Sequence, residues 1–236
     1  MAWEVAGSRT SVSRDLISHP TEVLSVGATM VASGELGHHA LVSLQEFVYG
    51  FAPAVGLGLL IGLAVGQSRR FRYLCEPLLM ALYTAPRIAL IPVLVIWLGV
   101  GMASKVAAVF LGGLLPILVN TAAGVQQLDP LWVRAVRAYG ATRLQLLVKV
   151  TLPGSLPAVM AGIRLGLGRA IIGLVVGEMY VSLAGIGRLV QDYGQAGRTA
   201  ELVVLVSLIA LFGFLLIQLV RRVEAWLGGW PREIEV

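Results

Sequence analysis

The chain predicts an all-α fold: a polytopic membrane helix bundle of about five spans, with one long amphipathic loop on the cytoplasmic side. Three observations carry this. Hydrophobic residues make up 57% of the sequence and charged residues 13%, and mean hydropathy is +0.84, outside the range of soluble domains. The apolar residues gather in runs long enough to cross a hydrocarbon core about 30 Å thick, which takes about 20 helical residues. Between the runs, basic residues crowd alternate loops.

The five runs lie at roughly 47–66, 78–99, 105–125, 158–183 and 201–220. In the first, Gly58, Gly62 and Gly66 recur at helical spacing; in the fourth, Gly162, Gly166, Ala170, Gly173 and Gly177 do the same. Such stripes let backbones approach closely in lipid, either within one subunit or at a dimer seam. Pro86 and Pro92 interrupt the second run and Pro116 the third. Each removes a backbone hydrogen bond and invites a kink or break, a feature both of transport paths and of inert bent helices.

The segment 129–157, DPLWVRAVRAYGATRLQLLVKVTLPGSLP, is basic and amphipathic. Asp129 suits a helix N-cap and Pro130 the first helical position. Trp132, Val136 and Tyr139 recur at helical spacing, and Gly140 permits a sharp turn. Thr142 can cap a second short helix carrying Leu144, Leu147, Val148 and Thr151 on one side, closed by Pro153 and Pro157. Two short helices bent about a glycine make a knob suited to a groove on another protein, or an interfacial helix lying on lipid headgroups.

Orientation follows the basic residues. The loop 67–77 carries Arg69, Arg70 and Arg72, the loop 126–157 carries Arg134, Arg137, Arg143 and Lys149, and the tail carries Arg221, Arg222 and Arg232. Five spans put these ten on one side and Lys105, Arg188, Arg198, Arg9 and Arg14 on the other, so the knob and the C-terminus are expected in the cytoplasm. Residues 1–46 would then sit outside without any signal to carry them there. Either the helix TEVLSVGATMVASG lies on the outer surface or a span upstream of Met1 is missing; the second is the favoured expectation.

Other chemistries find little support. The net charge of +5 reflects residues flanking spans, not a nucleic-acid footprint. Cys75 stands alone, so no intrachain disulfide forms, and the adjacent His38 and His39 cannot point at one ion while His19 stands apart. There is no Gly-rich phosphate loop ending in Lys-Ser/Thr, and no serine or cysteine sits in a recognisable nucleophile setting. No metal or cofactor is expected in this chain.

Ionisable groups at membrane depth are costly and usually face a cavity or a partner. Arg169 and Glu178 lie inside the fourth run, Arg87 inside the second beside Pro86, and Asn120 inside the third. Arg169 and Glu178 are about 13 Å apart along one helix, too far to pair, so each needs a partner elsewhere or water. A structural pairing and a place on a solute path are both open. Arg164, nearer the cytoplasmic end, is expected to snorkel to the headgroups.

The stretch RAVRAYGATRLQLLVKVTLP resembles the cytoplasmic loop of binding-protein-dependent ABC importer permeases, which runs Glu-Ala-Ala, three residues, Gly, nine residues, Ile-x-Leu-Pro. Ala135 matches the first Ala, Gly140 the Gly, and Leu152 and Pro153 the final pair; Val136 and Val150 replace Ala and Ile conservatively. Arg134 departs from the pattern, standing where the family has Glu, with Arg137 following it. TAPRIALIPVLVIWLGVG, LPILVNTAAGVQQLDP and VVGEMYVSLAGIGRLV are similar to the nitrate, sulfonate and taurine branch, and the likeness covers about residues 20–226.

The resemblance implies six spans as the family norm, an N-terminal segment over 1–40, a permease domain over 41–226 containing the coupling-helix loop 126–157, and a tail over 227–236. It implies a bacterial inner-membrane subunit without catalysis of its own. Its partners would be ABC ATPase subunits that bind ATP and Mg²⁺, a second permease copy as a homodimer, an extracytoplasmic solute-binding protein and membrane lipid, with no nucleic acid. Two other readings stand beside it. A channel or secondary transporter would need no ATPase, and a membrane-embedded enzyme or scaffold would need converging catalytic groups.

Overall fold

The structure is a computed structural model that describes residues 18–227, with the side chains of Met80 and Arg87 outside that description. Every regular element among the described residues is helical. The order is α1 (Pro20–Ala32), α2 (Glu35–Gln67), α3 (Arg69–Thr84), a 3-10 turn (Arg87–Leu90), α4 (Ile91–Leu98), α5 (Met102–Gln126), α6 (Pro130–Ala138), α7 (Arg143–Leu146), a π-helical turn (Leu147–Thr151), α8 (Leu152–Val181), α9 (Ile186–Gln195) and α10 (Thr199–Leu227).

Four helical stretches are long and apolar enough to cross a membrane: Glu35–Gln67, Met102–Gln126, Arg143–Val181 and Thr199–Leu227. Arg69–Thr84 and Ile88–Leu98, bent by 89° across Ala85–Pro86, count as a fifth where the bent pair is taken as one span. The about-five-span bundle is therefore the observed fold class. The break falls at Pro86, whose missing N–H and preference for an extended preceding residue end α3; Ala85 has ψ 136°. Pro92 instead sits in the first turn of α4, where no N–H is required.

Three local expectations need correction. The loop expected at 67–77 shrinks to Ser68, whose hydroxyl caps α3 by accepting from Phe71 N at 3.3 Å, so Arg69, Arg70, Arg72 and Cys75 are helical. Pro116 does not break α5, which continues through it to Gln126. Pro153 and Pro157 do not close the knob; Pro153 is the second residue of α8 and Pro157 lies inside that helix, which runs on through both.

The chain forms two compact units. The first comprises the residues up to Gly50, Arg87–Val109 and Ala170–Phe214. Its apolar core joins Met30 of α1, Leu36 of α2, Ile186 and Leu189 of α9, and Leu205 of α10, which is fully buried. Phe47 of α2 meets Phe212 of α10 edge-on, with ring centroids 5.4 Å apart. On α8, Gly173 lies so close to α5 that a Cβ would fall 2.7 Å from Ala108 O.

The second unit comprises Phe51–Pro86, Phe110–Arg169 and the residues from Leu215. Here the glycine stripe of α2 seats on α5: added Cβ atoms would fall 2.8 Å from Ile117 at Gly58, 2.6 Å from Thr121 at Gly62 and 2.6 Å from Val125 at Gly66. The stripe of α8 also meets α5, Gly162 against Asn120 at 2.7 Å and Gly166 against the Gly113 carbonyl at 2.9 Å. The small residues are thus consumed by packing within the chain, one of the two uses the sequence left open.

Candidate functional site

The knob is built as its caps dictate. Asp129 accepts from Leu131 N at 2.8 Å, and Pro130 opens α6. Gly140 takes φ +79°, a left-handed conformation that closes α6 and turns the chain. Thr142 and Gln145 then form a reciprocal capping box, Gln145 N to Thr142 Oγ1 at 3.3 Å and Thr142 N to Gln145 Oε1 at 2.8 Å. Through the π turn, α7 runs into α8 as one helical stretch, Arg143–Val181.

Leu146 is buried, but most of the knob's large apolar side chains do not turn inward. Leu131, Trp132, Tyr139, Leu144 and Val148 are exposed, Tyr139 at 92%. Val136 and Val150 are half-buried, while Arg134, Ala135, Arg137, Gly140, Leu152 and Pro153 are exposed. The single apolar side expected of the second helix is divided: Leu144 and Val148 face out, and Thr151 is buried, its hydroxyl donating to Leu146 O at 3.3 Å across the wider π turn.

A second constellation occupies the first unit, and the sequence reading found only one member of it. Glu178 of α8 is fully buried. Its Oε1 accepts from Ser43 Oγ of α2 at 2.5 Å and its Oε2 from Gly187 N at 2.7 Å. Ser43 Oγ in turn accepts from Ile186 N at 2.9 Å, and Gly185 N donates to His39 Nδ1 at 2.9 Å. The turn entering α9 is therefore tied to α2 and α8 through its backbone N–H groups. Gly185 has φ +127°, and a Cβ there would lie 2.3 Å from Glu178 Oε1, so only glycine fits.

Beside it, Lys105 of α5 is ion-paired with Glu46 of α2, their side chains 7% and 2% exposed. Lys105 Nζ also donates to Ser182 Oγ at 2.8 Å, and Ser182 hydrogen-bonds Ala184. Sequence reasoning placed Lys105 among loop charges and passed over Glu46, Ser43 and Ser182. The available signal was their position: Lys105 opens an apolar run, and Glu46 precedes another by one residue.

The structure separates the candidate path residues. Glu178 has the partner on another helix that it requires. Asn120 bonds within its own helix, Nδ2 to Pro116 O at 2.8 Å, where α8 packs over it at Gly162. Arg164 does not run to the headgroups; it is ion-paired with Glu224 of α10, both about one-third exposed. Arg169 is exposed and makes no hydrogen bond or ion pair among the described residues. The side chain of Arg87 lies outside the described residues. No three His, Cys, Asp or Glu side chains converge on a metal position among the described residues.

The described residues form a bundle of apolar, membrane-length helices carrying a capped knob with exposed apolar side chains, the architecture of a polytopic membrane subunit. The comparison with known proteins names the family. Residues 54–230 match the binding-protein-dependent transport system inner membrane component family, and the chain belongs to it. It is 33% identical over 99% of its length to SsuC of Bacillus subtilis (strain 168), a permease named for aliphatic sulfonates, covering 84% of that protein. It is 29% identical to the taurine transport system permease protein TauC of Escherichia coli (strain K12), over 99% of this chain and 86% of TauC. The formylaminopyrimidine transport permease protein ThiX of Halalkalibacterium halodurans is 32% identical over 83% of this chain and 78% of ThiX. The protein is an ABC importer permease of the sulfonate and taurine branch, a multi-pass inner-membrane subunit of a non-catalytic type whose family works with ATPase and substrate-binding-protein partners.

Proposed function

We propose that this chain lines the translocation path of an importer for a small solute, and that the knob is the handle by which a separate ATPase drives it. Two copies form the path, the C-terminus and the knob face the cytoplasm, and ATP and Mg²⁺ bind the partner ATPase. The solute is a sulfonate-, taurine-, nitrate- or bicarbonate-like anion or a vitamin precursor. The names of SsuC, TauC and ThiX support the sulfonate, taurine and pyrimidine members of that range without choosing among them.

One observation carries the proposal: Tyr139, Leu131, Trp132 and Leu144 stand uncovered on a segment whose helix ends are capped and turned by Gly140. A preformed apolar surface of this kind fits a cleft on a partner. Ala135 and Gly140 are exposed at its centre, and Arg134 puts a cation where the family carries Glu. The ATPase surface facing Arg134 then carries an anion, or that contact is weaker than in the family. Closure of the ATPase around ATP moves the knob, and α8 follows because π turn and helix are continuous.

A cysteine at Tyr139 in a Cys75→Ser background tests the docking. A maleimide–benzophenone reagent on that thiol, irradiated in the assembled transporter, joins it to the ATPase subunit, whereas the same reagent on Leu215→Cys, exposed on α10, does not. No crosslink in an assembled, ATP-hydrolysing complex overturns the proposal.

A further inference from the structure

We infer that Arg169 selects for an oxyanion on the transported solute, facing a water-filled route through the subunit. The inference rests on the path reading above and deepens it. Other ionisable side chains deep in the described apolar helices are satisfied: Glu46 by Lys105, Glu178 by Ser43 and the Gly187 amide, and Arg164 by Glu224. Arg169 has no partner within the described residues, and unlike Arg143, Lys149, Arg221 and Arg222, which also lack one, it lies well inside its helical stretch and not near an end. It lies about 7.5 Å along α8 beyond Arg164 and about 18 Å before Val181, inside the apolar stretch.

The local packing fixes which way this face looks. Gly162 and Gly166 press one side of α8 against α5, with Leu167 only 1% exposed. Leu165, Gly168 and Arg169 share the other side at helical spacing, with Leu165 58% exposed and open space around Gly168. An arginine always carries its charge, and lipid tails offer it nothing to pair with. Water and a visiting anion do. The missing side chain at Gly168 leaves the guanidinium open to a planar or tripodal oxyanion, which its fork of N–H donors matches in geometry and charge.

The test places a thiol beside the arginine. In a Cys75→Ser, Gly168→Cys chain assembled with its ATPase subunits in phosphatidylcholine vesicles, two membrane-impermeant methanethiosulfonates are compared, one carrying a sulfonate and one a quaternary ammonium. A unit charge about 6 Å away in water favours the sulfonate reagent about tenfold over the cationic one. Changing Arg169→Gln removes that preference, and Arg169→Lys retains it. The inference fails if neither reagent reacts, which puts lipid or a second copy over this face. It also fails if the preference ignores Arg169→Gln, or if it collapses when phosphatidylglycerol replaces part of the lipid, which makes a lipid phosphate the occupant. The Tyr139 crosslink in the same vesicles separates these failures from a loss of ATPase docking.

Discussion

Lys105 of α5 and Glu46 of α2 form an ion pair with almost no exposure to the surroundings, the lysine also held by Ser182, the residue that follows α8. Two helices of one unit and the segment that follows α8 are thus pinned by a single ammonium group. Removing one partner strands a buried charge, whereas removing both leaves an apolar contact. Lys105→Met is expected to cost about 3–5 kcal/mol and to lower the detergent unfolding temperature. The double change Glu46→Leu, Lys105→Met restores most of that loss. Equal destabilisation by the single and double variants contradicts the pairing.

The turn before α9 depends on Glu178 reaching the amide of Gly187 past a glycine. Gly185→Ala drives a methyl into the Glu178 carboxylate and imposes φ +127° on a residue with a side chain. Its expected cost exceeds that of Ser43→Ala, which removes a donor to Glu178 and an acceptor for Ile186 N at about 1–3 kcal/mol. Hydrogen exchange at Ile186 and Gly187 reads both directly. Unchanged protection in either variant means the turn is held by other contacts.

Close helix approach makes a separate prediction for the second unit. Gly62→Val must displace Thr121 and the Leu118 carbonyl, while Gly56→Val meets open space. The first change is expected to reduce folded, detergent-stable protein severalfold, and the second to leave its amount unchanged, as measured by size-exclusion recovery. Gly56 thereby controls for the loss of glycine itself.

Tyr193 donates to Glu35 at 2.8 Å, and its phenol is shifted above the ordinary value of 10.0, first by burial and then by that carboxylate. A raised phenol pKa means the folded state keeps its proton longer than the unfolded chain. The contribution is therefore complete below about pH 10 and lost as pH rises through the folded value. Tyr193→Phe should lower stability at neutral pH and flatten the alkaline decline in unfolding temperature; an unaltered alkaline limb rejects the link.

Much of this was readable from residues alone, and the remainder was not for identifiable reasons. Asp129, Pro130, Gly140 and Thr142 define the knob through local backbone chemistry, and the structure reproduces those features one by one. Pro86 broke its span because the residue before it must be extended, a local rule. The buried network was invisible because its members come from α2, α5, α8 and α9, up to 146 positions apart in the His39–Gly185 bond. Single-sequence reasoning sees that Glu178 needs a partner but cannot say that Ser43 supplies it. The length of α3 was missed because an amphipathic helix on arginines looks like a basic loop when only hydropathy runs are counted.

The most direct measurement of the central claim is uptake per ATP hydrolysed in vesicles holding the assembled transporter and its binding protein. Gly140→Pro forces φ near −65° where +79° is needed, and Ala135→Glu buries an unpaired charge at the docking face. Both variants are expected to insert and assemble, to keep measurable ATP hydrolysis, and to lose solute uptake by tenfold or more. Normal uptake per ATP in both variants, or uptake by the wild-type chain with no ATPase present, contradicts the account.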